Sequence, residues 1–131
     1  MPLMVLVVDD SMLIRHMVCR FLEERGFQVE SASNGIEALE MLTRVRPNLI
    51  ITDIGMPRMS GTEFIAALKE TAETVTIPIV ILSGRQSEFQ GSEQSATFVI
   101  YKDIDIDAQL EKALKLVFGK GAAKKHVTGR K

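Results

Sequence analysis

Several polar side chains directly follow short apolar segments in this 131-residue chain. They comprise three carboxylates, a hydroxyl and an amine: Asp9, Asp10, Asp53, Ser83 and Lys102. If three carboxylates come together, at least one keeps its proton unless a cation joins them, because like charges repel. Hard oxygen ligands favour Mg²⁺, which takes one or two carboxylates directly and keeps several waters. A carboxylate can also attack phosphorus while a metal and an amine neutralise the phosphoryl oxygens. If the fold brings them together, these residue types can therefore support an Mg²⁺-dependent aspartyl phosphate.

Asp53 ends an apolar run and is followed closely by Gly55, Pro57 and Gly61. A short apolar run bounded by turn residues is typical of a strand that is covered on both faces. A single Asp at a strand end is most often only a turn or capping residue. A chemical role for Asp53 therefore depends on whether the other polar side chains reach it.

The segments that carry these residues alternate between strand and helix patterns. Apolar segments predict five strands: Leu3–Val8, Phe27–Ala32, Leu49–Thr52, Ile79–Leu82 and Phe98–Tyr101. Apolar residues at helical spacing predict helices, with the stripes Ile14, Met17, Val18, Phe21, Leu22; Ala38, Leu39, Leu42; Phe64, Ile65, Leu68, Ala72; and Ile106, Leu110, Ala113, Leu114, Val117. Ser33 or Asn34 is expected to cap the second helix, and Ser60 the third. Residues 85–97 are polar, with Phe89 as the one large apolar side chain, so a helix there is expected to be short or poorly held.

This alternation predicts an α/β fold, a doubly wound five-stranded parallel sheet with helices on both faces. Continuous apolar strands agree, because they imply burial on both sides. Such sheets bind ligands beyond the carboxyl ends of their strands. The acids, the hydroxyl and the amine all follow strand ends, and we therefore expect them to converge there.

Composition excludes several classes of protein. The net charge of −1 gives no global field for nucleic acid or for a membrane surface. The single cysteine, Cys19, excludes a disulfide framework and is expected to be a small apolar helix residue. The first eight residues are interpreted as a strand rather than a signal peptide, and no run is long enough to span a membrane. A cytoplasmic location is expected by default.

Other polar features carry weaker signals. The basic segment after residue 119 is interpreted as a solvated tail in preference to a nucleic-acid arm. His16 is expected on an exposed helix face and His126 in the tail, away from the acids. The acids of 103–107 resemble the start of a calcium loop, but Ala108 and Leu114 stand where such a loop needs a glycine and a glutamate.

Four motifs in this order resemble the receiver domain of two-component response regulators. They are Asp9-Asp10-Ser11, Asp53-x-x-Met56-Pro57-x-Met59-x-Gly61, Ser83-Gly84 and Lys102. The resemblance covers about residues 3–118. It implies a flavodoxin-like (βα)5 fold with strand order 2-1-3-4-5. We therefore expect a receiver domain over 1–118 and a disordered basic tail over 119–131.

The resemblance also implies a phospho-switch rather than an enzyme with a separate substrate. A sensor histidine kinase or phosphotransfer protein would pass a phosphoryl group to Asp53, and the receiver would then contact a downstream protein. Mg²⁺ would be bound by Asp10, Asp53 and the Gly55 carbonyl, with Asp9 acting through water. Lys102 would pair with the phosphate, Ser83 would turn toward it, and the backbone N–H groups of Ile54 and Gly84 would donate to it.

Three features depart from the family pattern. Asp103 follows Lys102 where the family usually has a proline in a cis peptide, so a trans bond and a re-routed loop are expected. Val99 stands where the family usually has the aromatic of its switch. The polar segment 85–97 replaces a helix that usually belongs to the signalling face.

Alternative functions can be weighed from the same residues. A Mg²⁺-dependent aspartyl-phosphate phosphatase would place its nucleophile after the first strand in an Asp-x-Asp motif, which the adjacent Asp9 and Asp10 do not match. A flavin-binding module would need a hydroxyl-rich loop there. A receiver-like adaptor that acts without phosphorylation stays open. The chain length leaves no room for a DNA-binding module after residue 118, so we expect a stand-alone receiver.

Overall fold

A five-stranded parallel sheet forms the centre of the computed structural model of this protein, which describes residues 3–56, 58–84, 96–102 and 105–119. The strands are β1 (Met4–Val8), β2 (Gln28–Ala32), β3 (Leu49–Asp53), β4 (Ile79–Ser83) and β5 (Phe98–Tyr101). The helices within the described residues are α1 (Met12–Glu24), α2 (Gly35–Met41), α3 (Gly61–Lys69) and α4 (Ile106–Phe118). The strand order is β2-β1-β3-β4-β5, which confirms the predicted fold class and topology.

The register of the sheet brings the strand ends level with one another. Val8 pairs with Thr52, so Asp9, directly after β1, and Asp53, the last residue of β3, lie at the same height on neighbouring strands. Asp53 pairs with Leu82, which places Ser83 one residue further along β4. Ser83 in turn pairs with Tyr101, directly before Lys102. Three neighbouring strand pairs therefore bring four of the predicted site residues together at the carboxyl ends of the strands.

Apolar side chains cover both faces of the sheet because successive strand residues point to opposite sides. One cluster joins β1 residues Val5 and Val7 to α1 and α4, with Phe21 and Leu114 among its buried members. The other joins Leu6 and Val8 to α2 and α3. This two-sided burial explains why the strands are nearly continuous in apolar residues.

Side-chain caps fix the beginnings of the helices. Ser60 confirms the prediction for α3 and forms a full capping box with Glu63. Of the two candidates for α2, Asn34 is the cap, and its side chain accepts from the Glu37 amide. Ser11 caps α1 in the same way, directly after the acid pair. The β1–α1 connection is therefore short and held at both of its ends.

Two predicted core positions are wrong. Met17 is 41% exposed, because the buried face of α1 is centred between Val18 and Phe21 and Met17 lies at its margin. Ala72 is exposed and lies beyond the end of α3. The helix ends early because the Thr74 hydroxyl donates to the Leu68 carbonyl at 2.7 Å, and the chain turns there.

Some predictions fall on residues outside the described ranges. These are Pro57, residues 85–95 of the segment 85–97 that was predicted to form a short or poorly held helix, Asp103 with its peptide bond, and residues 120–131 of the tail that was predicted over 119–131. They stay predictions. In the part of the chain that the structure covers, each helix is too short or too polar to cross a bilayer.

Candidate functional site

Three carboxylates meet at the carboxyl edge of the sheet. Ligand oxygens of Asp9, Asp10 and Asp53 all lie within 4.8 Å of one another. Asp9 and Asp53 are buried, whereas Asp10 is exposed at the start of the β1–α1 loop. Among the described residues this is the one cluster of three or more potential metal-ligating acids, histidines or cysteines.

Lys102 places an ammonium group between the two buried carboxylates. Its Nζ lies 3.0 Å from Asp9 Oδ2 and 3.0 Å from Asp53 Oδ1. The Lys102 backbone amide also donates to the Ser83 carbonyl at 2.9 Å, which extends the β4–β5 pairing by one residue. The sequence therefore predicted the convergence of these side chains correctly, since strand ends of a parallel sheet share one edge.

The pKa values of Asp53 and Lys102 are both raised. Burial and the neighbouring Asp9 raise the pKa of Asp53, although the Lys102 ammonium and the Ile54 amide oppose the shift. Burial alone would lower the pKa of Lys102, but contacts with Asp9 and Asp53 outweigh it and the pKa is raised. A single ammonium thus faces more carboxylate charge than it can neutralise, and the site favours a further cation.

The donor set fits Mg²⁺. All of the side-chain ligands are carboxylate oxygens, which hard divalent cations prefer over nitrogen or sulfur. Asp9 Oδ2 is fully buried, and its partner among the described residues is the Lys102 ammonium at 3.0 Å. A buried carboxylate oxygen of this kind can still interact with a cation or a metal-bound water.

Asp9 is fixed through most of its polar atoms. Its amide donates to the Ala32 carbonyl on β2 at 3.1 Å, and its Oδ1 accepts from the Ser11 amide at 2.8 Å. The Arg15 guanidinium, one turn into α1, donates to the Asp9 carbonyl at 2.6 Å. Arg15 was not among the predicted site residues, although a basic side chain on the helix that directly follows two acids was an available signal.

The loop after Asp53 folds back tightly against β3. The Ile54 amide donates to Asp53 Oδ1 at 2.8 Å, and the Gly61 amide donates to the Ile54 carbonyl at 2.7 Å. A Cβ added at Gly61 would lie 2.1 Å from the Asp53 carbonyl oxygen, so only glycine allows this close approach. Arg58 in the same loop has a φ of +70°, a conformation that non-glycine residues adopt rarely.

The remaining predicted site residues have different environments. Ser83 is fully buried at the end of β4, and Gly84 is half-buried directly after it. Gly55 is exposed in the Asp53 loop, and a Cβ there would meet no atom within 4 Å. Val99 is half-buried against the apolar cluster of α2 and α3. The roles assigned to Ser83, Gly84 and Gly55 stay predictions.

Comparison with known sequences identifies a family that matches this geometry. The model of the response regulator receiver domain matches residues 5–115. The chain is 38% identical over 87 residues to response regulator MprA of a Mycobacterium species (strain KMS), which covers 66% of this chain and 37% of the relative. It is 40% identical over 83 residues to MprA of Mycobacterium leprae, covering 63% and 36%. The matched part is thus little more than a third of the length of these curated relatives.

Solved structures share the same fold. The chemotaxis protein CheY4 of Vibrio cholerae superimposes with a TM-score of 0.81 at 33% identity, covering 90% of this chain and all of that one. The response regulator TrrA of Thermotoga maritima gives a TM-score of 0.77 at 30% identity, covering 87% and 98%. That structure was determined in complex with Mg²⁺ and a beryllium fluoride.

Proposed function

Because this chain belongs to the response regulator receiver family of two-component signalling, we propose that Asp53 accepts a phosphoryl group from a phosphohistidine. The donor would be a sensor histidine kinase or a phosphotransfer protein. In this step an Asp53 carboxylate oxygen forms a bond to phosphorus as the bond from phosphorus to the histidine nitrogen breaks. The bonding electron pair stays with the imidazole, which takes up a proton, and an aspartyl phosphate remains.

The observation that carries this proposal is the contact of Lys102 with two buried acids. Its ammonium lies 3.0 Å from Asp53 Oδ1, beside the atom that would carry the phosphoryl group. Once Asp53 is phosphorylated, the same ammonium would pair with a phosphoryl oxygen and stabilise the charge that shifts during transfer. A lysine suits this role because its compact charge sits on a long, adjustable side chain.

Mg²⁺ is part of the proposal. Asp10, Asp53 and the Gly55 carbonyl would bind it, with Asp9 acting through water. When bound, the ion would neutralise charge on the phosphoryl oxygens. The three-carboxylate cluster supports this, as does the Mg²⁺ and beryllium fluoride complex of the Thermotoga relative.

Backbone amides and one hydroxyl would complete the phosphate site. The Ile54 amide already points at the Asp53 carboxylate, so it is within reach of a group attached there. Gly84 would offer its amide at the end of β4, where the lack of a Cβ permits close approach. Ser83 would donate its hydroxyl to a phosphoryl oxygen and so report the state of Asp53 to a surface that a downstream protein contacts.

Incubation with Mg²⁺ and acetyl phosphate tests the proposal. The expected result is a mass gain of one phosphoryl group that survives acid and is lost in base. Asp53→Asn should abolish the gain, and Asp107→Asn, at an exposed position of α4, should retain it. Absence of the gain in the wild-type protein, or its persistence in Asp53→Asn, would overturn the proposal. Rapid multiple turnover on varied phosphomonoesters would instead favour the phosphatase.

Several finer expectations from the sequence stay predictions. They are the limits of the receiver at 1–118 and of the tail at 119–131, action without an attached output domain, the absence of direct nucleic-acid binding and the cytoplasmic location. The match covers only 37% of the length of the first of these relatives, so the presence of an output domain is a property to be tested on the whole protein.

A further inference from the structure

The side chain of Gln109 on α4 binds the backbone of Tyr101 at two points. The Tyr101 amide donates to Gln109 Oε1 at 2.9 Å, and Gln109 Nε2 donates to the Tyr101 carbonyl at 2.9 Å. A carboxamide has one acceptor oxygen and a donor NH₂ group, so it can serve both backbone groups of one residue. Tyr101 is the residue directly before Lys102, and this contact therefore lies next to the ammonium-bearing residue of the site.

The contact occupies the outer side of an edge strand. β5 is the last strand of the sheet, and the Lys102 amide faces inward to the Ser83 carbonyl. The backbone groups of neighbouring residues in a parallel strand point to opposite sides, so those of Tyr101 face away from β4. Gln109 thus supplies the donor and the acceptor that a sixth strand would otherwise provide.

Gln109 is itself well anchored. It lies between Ile106 and Leu110, both of which are buried in the cluster beneath α4. Its Nε2 also lies 3.3 Å from the Asp105 carbonyl at the cap of α4. The buried face of α4 therefore fixes the point from which the carboxamide reaches β5.

Lys102 depends on this backbone because its single ammonium has to reach two carboxylates at once. The two acceptor atoms are Asp9 Oδ2 and Asp53 Oδ1, which belong to residues at the ends of two different strands. In the described part of the chain, the backbone around Lys102 is held by the Ser83 carbonyl on one side and by Gln109 at the preceding residue. A shift of the end of β5 would restrict the side-chain conformations of Lys102 in which the ammonium reaches both carboxylates.

We propose that Gln109 is a positioning residue for Lys102, which holds the end of β5 so that the ammonium reaches Asp9 and Asp53. The part that concerns phosphate binding rests on the proposed function. A purely structural role, in which Gln109 only protects the sheet edge, makes a different prediction. It would affect stability without a selective effect on phosphate binding.

The test compares Gln109→Leu, which keeps similar bulk but removes both hydrogen bonds, with Gln28→Leu. Gln28 is exposed on β2, the other edge strand, so the control makes the same change at the opposite edge. Affinity for beryllofluoride is measured in saturating Mg²⁺, and affinity for Mg²⁺ alone is measured separately. We expect Gln109→Leu to weaken beryllofluoride binding roughly tenfold, as when an outer-shell partner is removed. Mg²⁺ affinity should change less than about twofold, and Gln28→Leu should change neither.

The same substitution in a Lys102→Met variant distinguishes positioning of Lys102 from a general destabilisation of the fold. In Lys102→Met, the addition of Gln109→Leu should cause no further loss of beryllofluoride affinity, because the group that Gln109 positions is gone. An equal loss in both backgrounds, or unchanged affinity in Gln109→Leu alone, would overturn the proposal. If Gln109→Leu does not fold, Gln109→Glu serves instead. It keeps the acceptor for the Tyr101 amide, loses the donor, and should give a smaller but selective loss.

A measurement on the protein without phosphate keeps the two proposals distinguishable. The NMR signal of the Lys102 ammonium should be that of an ion-paired group in the wild-type protein and in Gln28→Leu. In Gln109→Leu the signal should shift toward that of an unpaired lysine. Failure of the wild-type protein to bind beryllofluoride would contradict the proposed function and leave this comparison intact. An unchanged Lys102 signal in Gln109→Leu would overturn the positioning role.

Discussion

Lys102 Nζ lies 3.0 Å from Asp53 Oδ1, and the Asp53 carboxylate is almost completely buried. The same ammonium lies 3.0 Å from Asp9 Oδ2, so one positive charge serves two buried carboxylates. With Asp10 beside them, the metal-free site carries excess negative charge. This excess negative charge lowers the stability of the folded protein, which is common at functional sites.

Neutralising Asp53 should stabilise the metal-free protein. Burial and Asp9 raise the pKa of Asp53, so the folded protein binds this proton more tightly than the unfolded chain does. The resulting contribution to stability is present at low pH and is lost as the pH rises through the raised pKa. Asp53→Asn cannot ionise and should raise the free energy of unfolding at pH 7 by on the order of 1 kcal/mol in urea titrations with EDTA.

The pH dependence provides a check on that expectation. The difference between Asp53→Asn and the wild-type protein should shrink as the pH falls and Asp53 takes up its proton. Glu40→Gln on the exposed side of α2 is the control, and it should change stability by less than about 0.5 kcal/mol. A lower unfolding free energy for Asp53→Asn at pH 7 would contradict the charge argument.

Mg²⁺ should stabilise the folded protein by mass action. At a free Mg²⁺ concentration ten times the dissociation constant, the gain is about 1.4 kcal/mol if the unfolded chain does not bind. Thermal unfolding with Mg²⁺ and with EDTA, at matched ionic strength, measures this gain. Asp10→Asn should remove most of it and Asp107→Asn should retain it. An equal gain in both variants would show that the ion acts elsewhere on the chain.

Gly61→Ala should be strongly destabilising. A Cβ at this position would lie 2.1 Å from the Asp53 carbonyl oxygen and 2.7 Å from Ile54 Cα, so backbone must shift. We expect a loss of about 1–3 kcal/mol in chemical unfolding, as for other overpacked sites. Gly55→Ala is the matched stability control, because a Cβ there meets no atom within 4 Å and the expected change is less than about 0.5 kcal/mol. Similar effects of the two substitutions would refute the steric explanation.

Arg15→Met should cost more than a typical surface arginine. Its guanidinium donates to the Asp9 carbonyl at 2.6 Å, and removal of a charged donor of this kind costs roughly 1.5 kcal/mol or more. Arg20→Met removes an exposed pair with Glu24 on the same helix and should cost only about 0.3–0.5 kcal/mol. Urea unfolding of both variants in EDTA makes the comparison. If Arg15→Met is no more costly than Arg20→Met, the contact with Asp9 contributes little.

Cys19 should react slowly with thiol reagents. Burial, with a smaller contribution from Glu23, raises the pKa of its thiol to about 11, although Arg15 opposes the shift. Because the thiolate is the reactive form, alkylation at pH 7.5 should be roughly two orders of magnitude slower than that of an unperturbed cysteine. The same protein unfolded in urea provides the reference rate. Equal rates in the folded and unfolded protein would contradict burial of this side chain.

The sequence predicted the strands and the polar residues at their ends better than it predicted the contacts that hold them. Runs such as Leu49–Thr52 are apolar because both faces of the sheet are covered, so the strand and the position of Asp53 follow from local pattern. The strand order came from resemblance rather than from the pattern. Gln109 and Arg15 were not predicted because their partners are backbone groups outside their own helices. The spacing of residues along the sequence does not reveal which distant backbone group a side chain will contact. The predicted inward position of Ala72 was wrong because α3 ends before this residue, where the Thr74 hydroxyl donates to the Leu68 carbonyl.

Asp9 has more contacts on the β1–α1 side of the site than on the β4–β5 side. Its backbone and its Oδ1 are tied to β2, Ser11 and Arg15, whereas only its Oδ2 meets the side chain of Lys102. If the proposed phosphoryl group on Asp53 draws Lys102 away, the contacts of Asp9 with β2, Ser11 and Arg15 do not involve the departing side chain. We therefore expect displacement mainly on the β4–β5 side, and we expect a partner that contacts only α1 to encounter a similar surface before and after the reaction.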